Sequence, residues 1–451
     1  MLTALKTFLR LALIPVLYVG GLTTVVLSIF KKAEWGLFLL IILIPQPNIW
    51  YKLHDYPLGK DFMDLLIFGI ILGMILQKKG FEKTTNSWFV LAFIMLNYLS
   101  LWNTSFQFSL PAPLSSSNEL LKDWKNYAEM LLLYILVVNV IKTEDQQKFV
   151  VILMSVIVLL IAVRSYRNFT GGASFQYDKR VGGPFEAVGL GPNHYGAFIA
   201  DYGSFFLGMF LYEVNKRRKY ILLATFLFGL HPLFYSYSRG AYLAAFSALT
   251  FFGLLKKRTL LIIAIAFVLA WKVVLPASVI DRITMTETDE GEIESSAAHR
   301  LVLWDHALGL FKENPVFGIG YGGFGYTVEE GELTDTHSFY LKTLAEQGII
   351  GVIFLTVVLL RAILSGWRLF RRGFGMFQQG LGLAFTGTVI AMVITNIFGD
   401  RWSYFILGSY FWILWGLVDR GVLISRTKAA EENSGETPVR KRSAMPLRPV
   451  Y

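Results

Sequence analysis

Long runs of apolar residues, separated by short polar or glycine-rich segments, recur along almost the whole chain. A helix needs about 20 apolar residues to cross the roughly 30 Å hydrocarbon core of a bilayer. Twelve runs approach that length and predict transmembrane helices in an all-α protein. They lie near residues 35–50, 61–77, 87–103, 126–141, 148–165, 192–212, 219–235, 239–255, 259–275, 338–360, 378–398 and 402–419.

A further apolar run covers residues 8–30 and carries Pro15, Gly20 and Gly21 in its middle. Proline and glycine weaken a helix, so this run is equally compatible with a thirteenth span and with a re-entrant hairpin. It lacks a clear small-residue cleavage site, which argues against a cleavable signal peptide.

The composition agrees with a polytopic membrane protein. Of the 451 residues, 54% are hydrophobic and only 16% are charged, whereas about a quarter of the residues in soluble domains are charged. The net charge of +10 is therefore interpreted through membrane topology, and no nucleic-acid partner is expected. The absence of cysteine excludes disulfides and thiolate metal sites.

Lysine and arginine collect in alternate loops, which the positive-inside rule assigns to the cytoplasm. These basic segments lie at residues 31–32, 78–83, 142–148, 216–219, 256–258 and 368–372, and in the tail after residue 420. The intervening loops then face outward, including the long loop 276–337. We expect residues 1–424 to form one membrane domain and the basic tail 425–451 to be disordered and cytoplasmic.

The long outer loop divides into two parts. Residues 286–296 are acidic and read as a flexible segment. After them, apolar residues recur at helical spacing until Asn314 and Pro315, which are typical of a helix end. The apolar positions are Leu301, Trp304, Leu308 and Phe311. This spacing predicts an amphipathic helix that lies against the outer face of the membrane.

Several cations on the predicted outer side are candidates for binding phosphate, because Arg binds phosphate oxygens bidentately and Lys acts as a point charge. Arg239 is flanked by Ser238, a hydroxyl donor, and by Gly240, which lets a bulky ligand approach the backbone; the alternative is an arginine that snorkels to lipid phosphate. Arg180 belongs to a loop rich in glycine and proline. The complete set of candidate cations is Arg180, Arg239, Arg300 and Lys125.

His337 is the best candidate for acid–base chemistry, because an imidazole titrates near neutral pH and can accept a proton from a hydroxyl. His194 and its neighbour Asn193, at the start of a predicted span, are supporting candidates. His299 and His306 lack a carboxylate at ligand spacing, so no metal site is predicted.

The glycine run at residues 318–327 superficially resembles a nucleotide-binding loop. No strand precedes it, and no Lys followed by Ser or Thr comes after it. The run is better explained as a permissive turn that brings the outer helix back toward His337.

Three successive segments resemble the signatures of the O-antigen ligase and polymerase superfamily of bacterial envelope proteins. They are "YSRGAYLA" at 237–244, "HRLVLWDHALGLFKENPVFGIGYGGF" at 299–324 and "THSFYLKTLAEQGIIG" at 336–351. The stretch "RVGGPFEAVGLGPNHYGAF" at 180–198 resembles the preceding loop and helix of that family. One departure is Ser338, where the family usually has Asn after the histidine.

This resemblance implies a glycosyltransferase of the GT-C-like membrane type, independent of metals and cofactors, in the bacterial inner membrane with its site facing the periplasm. The donor would be a glycan linked to undecaprenyl pyrophosphate. The family roles would give donor pyrophosphate binding to Arg239 and Arg300 and activation of the acceptor hydroxyl to His337. Inversion at the anomeric carbon is expected.

Three activities remain open at this point. A ligase would transfer the glycan to an acceptor such as lipid A core, and a polymerase would transfer it to another lipid-linked glycan. The sequence weakly favours the ligase, because the outer loop is long and carries an amphipathic helix. A transporter or flippase would need charged residues deep in the spans and an inverted repeat. Asp201 and Arg164 are the main polar residues in or near spans, and no repeat is evident.

Overall fold

Every regular element among the described residues is a helix, as the apolar runs predict. The computed structural model describes residues 2–78, 80–82, 84–171, 174–285, 295–328 and 335–433. Its α-helices are α1 (Leu2–Phe30), α2 (Ala33–Leu43), α3 (Pro47–Trp50), α4 (Phe62–Leu76), α5 (Thr85–Gln107), α6 (Glu119–Val140), α7 (Glu144–Asn168), α8 (Pro192–Phe210), α9 (Lys216–Tyr235), α10 (Arg239–Leu255), α11 (Arg258–Val274), α12 (Ala277–Thr284), α13 (Ser295–Glu313), α14 (Phe339–Arg372), α15 (Met376–Thr395) and α16 (Phe405–Asn433). Short 3₁₀ turns lie at Tyr51–Asp55, Tyr177–Lys179, Gly183–Val188 and Gly323–Tyr326.

The helices support a polytopic membrane protein, whereas the predicted count of twelve or thirteen spans is not confirmed. Within the described residues, six helices are long and apolar enough to cross a membrane: α1, α5, α7, α14, α15 and α16. The number rises to eight if the bent pairs α2 with α3 and α11 with α12 each form one span. Helices α4 and α10 are apolar but shorter.

The N-terminal apolar run forms one helix. Helix α1 continues through Pro15 from Leu2 to Phe30, so the structure does not contain the re-entrant hairpin that was the alternative for residues 8–30. The missing amide hydrogen bond at Pro15 does not end the helix, because long flanking apolar segments favour helix on both sides.

The most deeply buried helix is α16. In its apolar window, 89% of the residues are buried, against 17% in that of α1. The aromatic side chains of Trp412 and Trp415 in α16 are fully buried, as are Trp402, just before it, and Tyr134 of α6. Such aromatic side chains contribute large packing areas. Helices α8 and α15 are also mostly buried, so these three form the centre of the bundle.

The predicted outer helix exists as α13, and one of its sides packs on the protein. Leu303 and Ala307 are buried against Phe324 and Ala345, whereas Leu301 and Leu308 are exposed. The buried side of α13 packs on α14 and on the glycine-rich turn. The exposed leucines belong to the predicted apolar face, whose contact with the membrane stays a prediction.

Two predicted irregular segments have different outcomes. Helix α16 continues to Asn433, so the beginning of the predicted disordered tail is helical. The rest of that tail, and residues 286–294 of the acidic segment, lie outside the described residues.

Candidate functional site

His337 adopts an unusual backbone conformation directly before α14. Its φ is +52°, in the left-handed region that non-glycine residues rarely occupy. The hydroxyl of Thr336, which is fully buried, donates to the Ser338 carbonyl at 2.7 Å and accepts from the Ser338 amide at 3.2 Å. Thr336 thus bridges across His337 and holds the strained residue in place.

The segment around His337 is attached to α13. The indole Nε1 of Trp304 donates to the Thr336 carbonyl at 2.9 Å. This bond ties the helix that carries Arg300 to the segment that carries His337. The sequence predicted that the two would share the outer face, and the structure brings them into one region.

A carboxylate that the sequence analysis did not single out lies beside the imidazole. Asp335 Oδ2 is 3.6 Å from His337 Nδ1, and Asp335 Oδ1 accepts the His337 backbone N–H at 3.1 Å. Side-chain exposure is 28% for His337 and 21% for Asp335. The imidazole is therefore accessible to a substrate and has an acid group positioned on its Nδ1 side.

The turn between α15 and α16 completes this region. Asn396 Oδ1 accepts the Arg401 backbone N–H at 2.9 Å, and the Asn396 carbonyl accepts the Phe339 N–H at 3.0 Å. Asp400 pairs with Lys342 of α14, with a distance of 2.9 Å between Nζ and Oδ2. These contacts fasten the turn to the first residues of α14 and fix Arg401, which is only 5% exposed.

Charges around His337 favour its neutral form. Burial, followed by the positive charges of Arg300 and Arg401 and by His299, lowers the pKa of His337 to about 4. Burial also lowers the pKa of Arg401, although the carboxylates of Asp335 and Asp400 oppose this shift. His337 is therefore a neutral imidazole near pH 7, next to two arginines that are close enough to repel each other.

His194 joins the same cluster from the first turn of α8. It lies within electrostatic range of Arg401, Asp400 and His337, and its ring packs edge-on against Tyr404, with 5.2 Å between the ring centroids. The prediction of a supporting role for His194 is thus compatible with its position, and that role stays a prediction.

Arg239 begins α10 at the edge of this region. Its Nη1 donates to the Met285 carbonyl at 3.1 Å, and the preceding Ser238 is 9% exposed. A Cβ added to Gly240 would lie 3.1 Å from Phe398, which precedes Asp400 in the turn. The small residue at 240 therefore allows α10 to pack closely on the turn that carries Arg401.

Arg180 forms hydrogen bonds that hold together three segments near His194. Its Nε and Nη2 donate to the Ser236 carbonyl at 3.0 and 2.7 Å, and Nη2 also donates to Asn193 Oδ1 at 2.6 Å. The Arg180 side chain thereby connects the glycine-rich loop, the start of α8 and the segment leading into α10. This geometry favours a positioning role over the predicted contact with pyrophosphate.

Lys125 has carboxylate partners elsewhere. It forms a short ion pair with Asp64 of α4 and lies 3.4 Å from Glu129 Oε1. Its charge is matched by these two acids, so it contributes little to a cationic site. Of the four predicted cations, the structure thus brings Arg300 to His337 and adds Arg401, which the sequence analysis did not identify.

The glycine run docks into a break in α14, as the predicted permissive turn requires. At the break, Gly348 has φ +59°, and an added Cβ would lie 2.5 Å from the Val316 backbone. Amides of Ile319 and Gly320 donate to the carbonyls of Ala345 and Glu346 at 3.0 and 2.7 Å. These bonds use backbone groups that a nucleotide phosphate would need.

The described residues contain no group of three or more His, Asp or Glu side chains arranged to hold a metal ion. The positive charge near His337 comes instead from arginine side chains.

Residues 222–356 match the O-antigen ligase family. The matched segment includes Arg239, Arg300 and His337, and it ends in α14 beyond the break at Gly348. This match confirms the resemblance to the O-antigen ligase and polymerase superfamily, and it supports a membrane protein with ligase or polymerase activity toward lipid-linked glycans. Asp400 and Arg401 lie outside the matched segment. No curated protein matches the chain.

Proposed function

We propose that this chain, whose residues 222–356 match the O-antigen ligase family, transfers a glycan from undecaprenyl pyrophosphate to a hydroxyl of an envelope acceptor such as lipid A core. One observation carries the proposal. A strained, accessible histidine with a carboxylate beside it lies within the electrostatic field of Arg300 and Arg401. This arrangement provides a proton acceptor next to a site for a polyanion.

The donor pyrophosphate fits the charge of the site. Arg300 and Arg401 both place positive charge near His337, and this charge would stabilise an anion bound beside them. A pyrophosphate supplies that anion and offers oxygen atoms for bidentate contacts. Arg300 and Arg401 would hold it, and Arg239 would contribute as the family resemblance implies. Fixed cations in such a site stabilise the charge that develops on the leaving group and can serve where other transferases use a metal.

Donor binding would also activate the base. In the unliganded site, Arg300 and Arg401 help to lower the pKa of His337 to about 4, which makes the imidazole a weak proton acceptor. A bound pyrophosphate offsets these positive charges and therefore raises the pKa of His337 toward its ordinary value. The imidazole becomes a more efficient base when the donor is bound.

In the transfer step, the acceptor oxygen attacks the anomeric carbon while His337 takes the hydroxyl proton. The bond from the anomeric carbon to the pyrophosphate oxygen breaks, and its electron pair leaves with undecaprenyl pyrophosphate. Attack opposite the leaving group inverts the configuration. Asp335 would orient the imidazole and stabilise its protonated form.

The proposal includes the finer membrane topology. We place residues 1–424 in one catalytic domain of the bacterial inner membrane, with twelve spans and a thirteenth formed by α1. The site then faces the periplasm, because the arginine-rich end of α14 at residues 368–372 belongs to the cytoplasmic side by the positive-inside rule.

The test is transfer in vitro with purified protein in detergent, a synthetic undecaprenyl-pyrophosphate glycan and EDTA. Lipid A core and a second lipid-linked glycan are offered together as acceptors. Label on lipid A core supports the ligase, and extension of the lipid-linked glycan would assign the chain as a polymerase. Movement of the donor across a proteoliposome membrane, without transfer to either acceptor, would contradict the proposal and favour a transporter. The His337→Ala protein is the inactive control.

A further inference from the structure

A second cationic cleft lies between α5, α14 and α16. Its volume is about 600 Å³, and its polar lining includes Asn86, Arg361, Ser365, Arg368, Asp419 and Arg426. We refer to it as the inner-end cleft. It shares no lining residue with the cluster around His337, and its charge has no part in the proposed transfer.

The inner-end cleft carries an excess of positive charge. Among the described residues, none of its three arginines forms an ion pair within 4.0 Å of a carboxylate. The one carboxylate in the lining, Asp419, accepts hydrogen bonds from Tyr134 and Asn86 at 2.5 and 2.8 Å. The charge of Asp419 is therefore only partly available to the arginines. A bound anion would offset the positive charge that remains in the cleft.

One of the arginines is already held in position. Arg361 Nη1 donates to Asn86 Oδ1 at 2.8 Å, and its guanidinium lies 5.0 Å from the centre of the Phe89 ring. Asn86 also donates to Ser365 Oγ at 3.0 Å. This network connects α5 with α14 and α16 and makes one wall of the cleft rigid. Among the described residues, neither Arg368 nor Arg426 forms a hydrogen bond. Arg368 is within electrostatic range of Asp419, and both guanidinium groups keep donors for a ligand.

The position of the inner-end cleft in the bundle indicates which type of anion it binds. Arg426 lies 21 residues after Phe405 in α16, which begins just after the turn with Arg401, and this separation corresponds to about 32 Å at about 1.5 Å per residue. That distance is roughly the thickness of the hydrocarbon core, so the cleft and His337 lie at opposite ends of the bundle. Beside the arginines, Leu360 and Leu364 are 52% and 57% exposed, and the cleft lining includes both leucines.

We propose that the inner-end cleft binds the headgroup phosphate of an anionic phospholipid from the leaflet at that end of the bundle. Arg368 and Arg426 would contact the phosphate, and the acyl chains would lie along Leu360 and Leu364. Clusters of basic residues next to a membrane surface are suited to anionic lipids. A free phosphate ion would use the arginines alone, whereas a lipid also covers the exposed leucines.

Such a lipid would stabilise the packing of α14 against α16. The arginines repel one another across the two helices, Arg361 and Arg368 from α14 and Arg426 from α16, and the phosphate offsets this repulsion. The same two helices begin next to the candidate site: His337 lies just before α14, and Arg401 lies in the turn just before α16. The inference stands independently of the transferase proposal, because it rests on a different cleft.

The experiment measures lipid retention by native mass spectrometry after release from nanodiscs that contain equal amounts of phosphatidylglycerol and phosphatidylcholine. The variant Arg368→Gln/Arg426→Gln removes both guanidinium groups, neither of which forms a hydrogen bond within the described residues. The matched control, Arg217→Gln/Arg258→Gln, removes two exposed arginines of α9 and α11, which belong to the same end of the bundle by the predicted topology. Inorganic phosphate is added in a separate arm as a competitor.

We expect the unmodified protein to retain phosphatidylglycerol preferentially. The preference should fall by about 30-fold in the cleft variant, as expected for the loss of two cations at an anionic surface, and persist in the control. Equal losses in both variants, or no preference in the unmodified protein, would overturn the proposal. Displacement by millimolar inorganic phosphate would assign the cleft to a free anion instead. If the Gln variant is not inserted, Arg368→Lys/Arg426→Lys should retain the preference in part, and its complete loss of preference would count against a charge-based site.

Discussion

The electrostatic coupling between Arg401 and His337 leads to a testable pH dependence. Arg401 is one of the charges that lower the pKa of His337 to about 4. Replacing Arg401 with Gln removes this positive charge while keeping a polar side chain of similar length. The protonated imidazole is then less disfavoured, so the pKa of His337 must rise.

The size of the change is bounded by the structure. Burial is the largest cause of the lowered pKa, and Arg300 is the next. Both remain in Arg401→Gln, so the pKa of His337 should lie between about 4 and the ordinary 6.5. A proton acceptor works only when it is neutral. The kcat/KM for the donor of the unmodified protein should therefore persist as the pH falls to about 4, whereas that of the variant should decline at a higher pH.

The assay is the pH profile of kcat/KM for the donor, which reports the ionisation of the unliganded enzyme. Tryptophan fluorescence at each pH checks that the protein remains folded. Arg164→Gln, which replaces an exposed arginine away from His337, is the control and should keep the original profile. An acid limb that is unchanged in Arg401→Gln, or that moves to lower pH, would refute the assignment of His337 as the base under the influence of Arg401.

Four further substitutions test other parts of the site. His337→Ala should lower the transfer rate by roughly 10²- to 10⁴-fold, the usual contribution of a general base, and normal activity with intact insertion would exclude this role. Thr336→Val removes the hydroxyl that bridges His337 and should lower the free energy of unfolding by about 1–3 kcal/mol, measured by thermal unfolding against the unmodified protein. Gly348→Ala forces a Cβ against the Val316 backbone at positive φ and should lower the melting temperature, whereas Gly20→Ala, with nothing within 4 Å, should not. Lys125→Met should leave the KM for the donor nearly unchanged because Asp64 and Glu129 already match this charge; a large increase would restore Lys125 to the donor site.

The sequence was sufficient to predict where the helices form, because the length of an apolar run and its flanking polar residues are local properties. Every predicted run contains helix within the described residues, although the run at 35–50 is divided between α2 and α3 by a bend of 100°. The placement of His337 and Arg300 in one region was also predictable, since both belong to recognisable motifs, whereas their roles stay predictions. Partners that are distant in the chain were not predictable in the same way. The pairing of Lys125 with Asp64 joins residues of α6 and α4, and nothing near Lys125 in the sequence indicates it.

Arg401 is a second residue whose contacts depend on partners that are distant in the chain. An Asp followed by Arg in a short turn between two apolar runs was a visible signal, because charged residues at a membrane boundary need a partner or a function. Its importance arises only when Asn396 links the turn to the first residue of α14. The turn then brings a buried guanidinium to a histidine that lies far away in the chain.

The break in α14 gives a physical reason for the order and spacing of the motifs. Arg300 lies on α13, and His337 lies just before α14, so the chain must return from the end of α13 to the start of α14 with a fixed geometry. The glycine run achieves this by inserting its backbone at Gly348, where an unbroken helix would offer no free carbonyl groups. Only glycine fits at Gly318 and at Gly348, where each faces the backbone of the opposite segment at positive φ. The docking of this turn and the bond from Trp304 to Thr336 together fix Arg300 relative to His337. The motifs at 299–324 and 336–351 therefore form one structural unit, in which the glycines set the distance between the cation and the base.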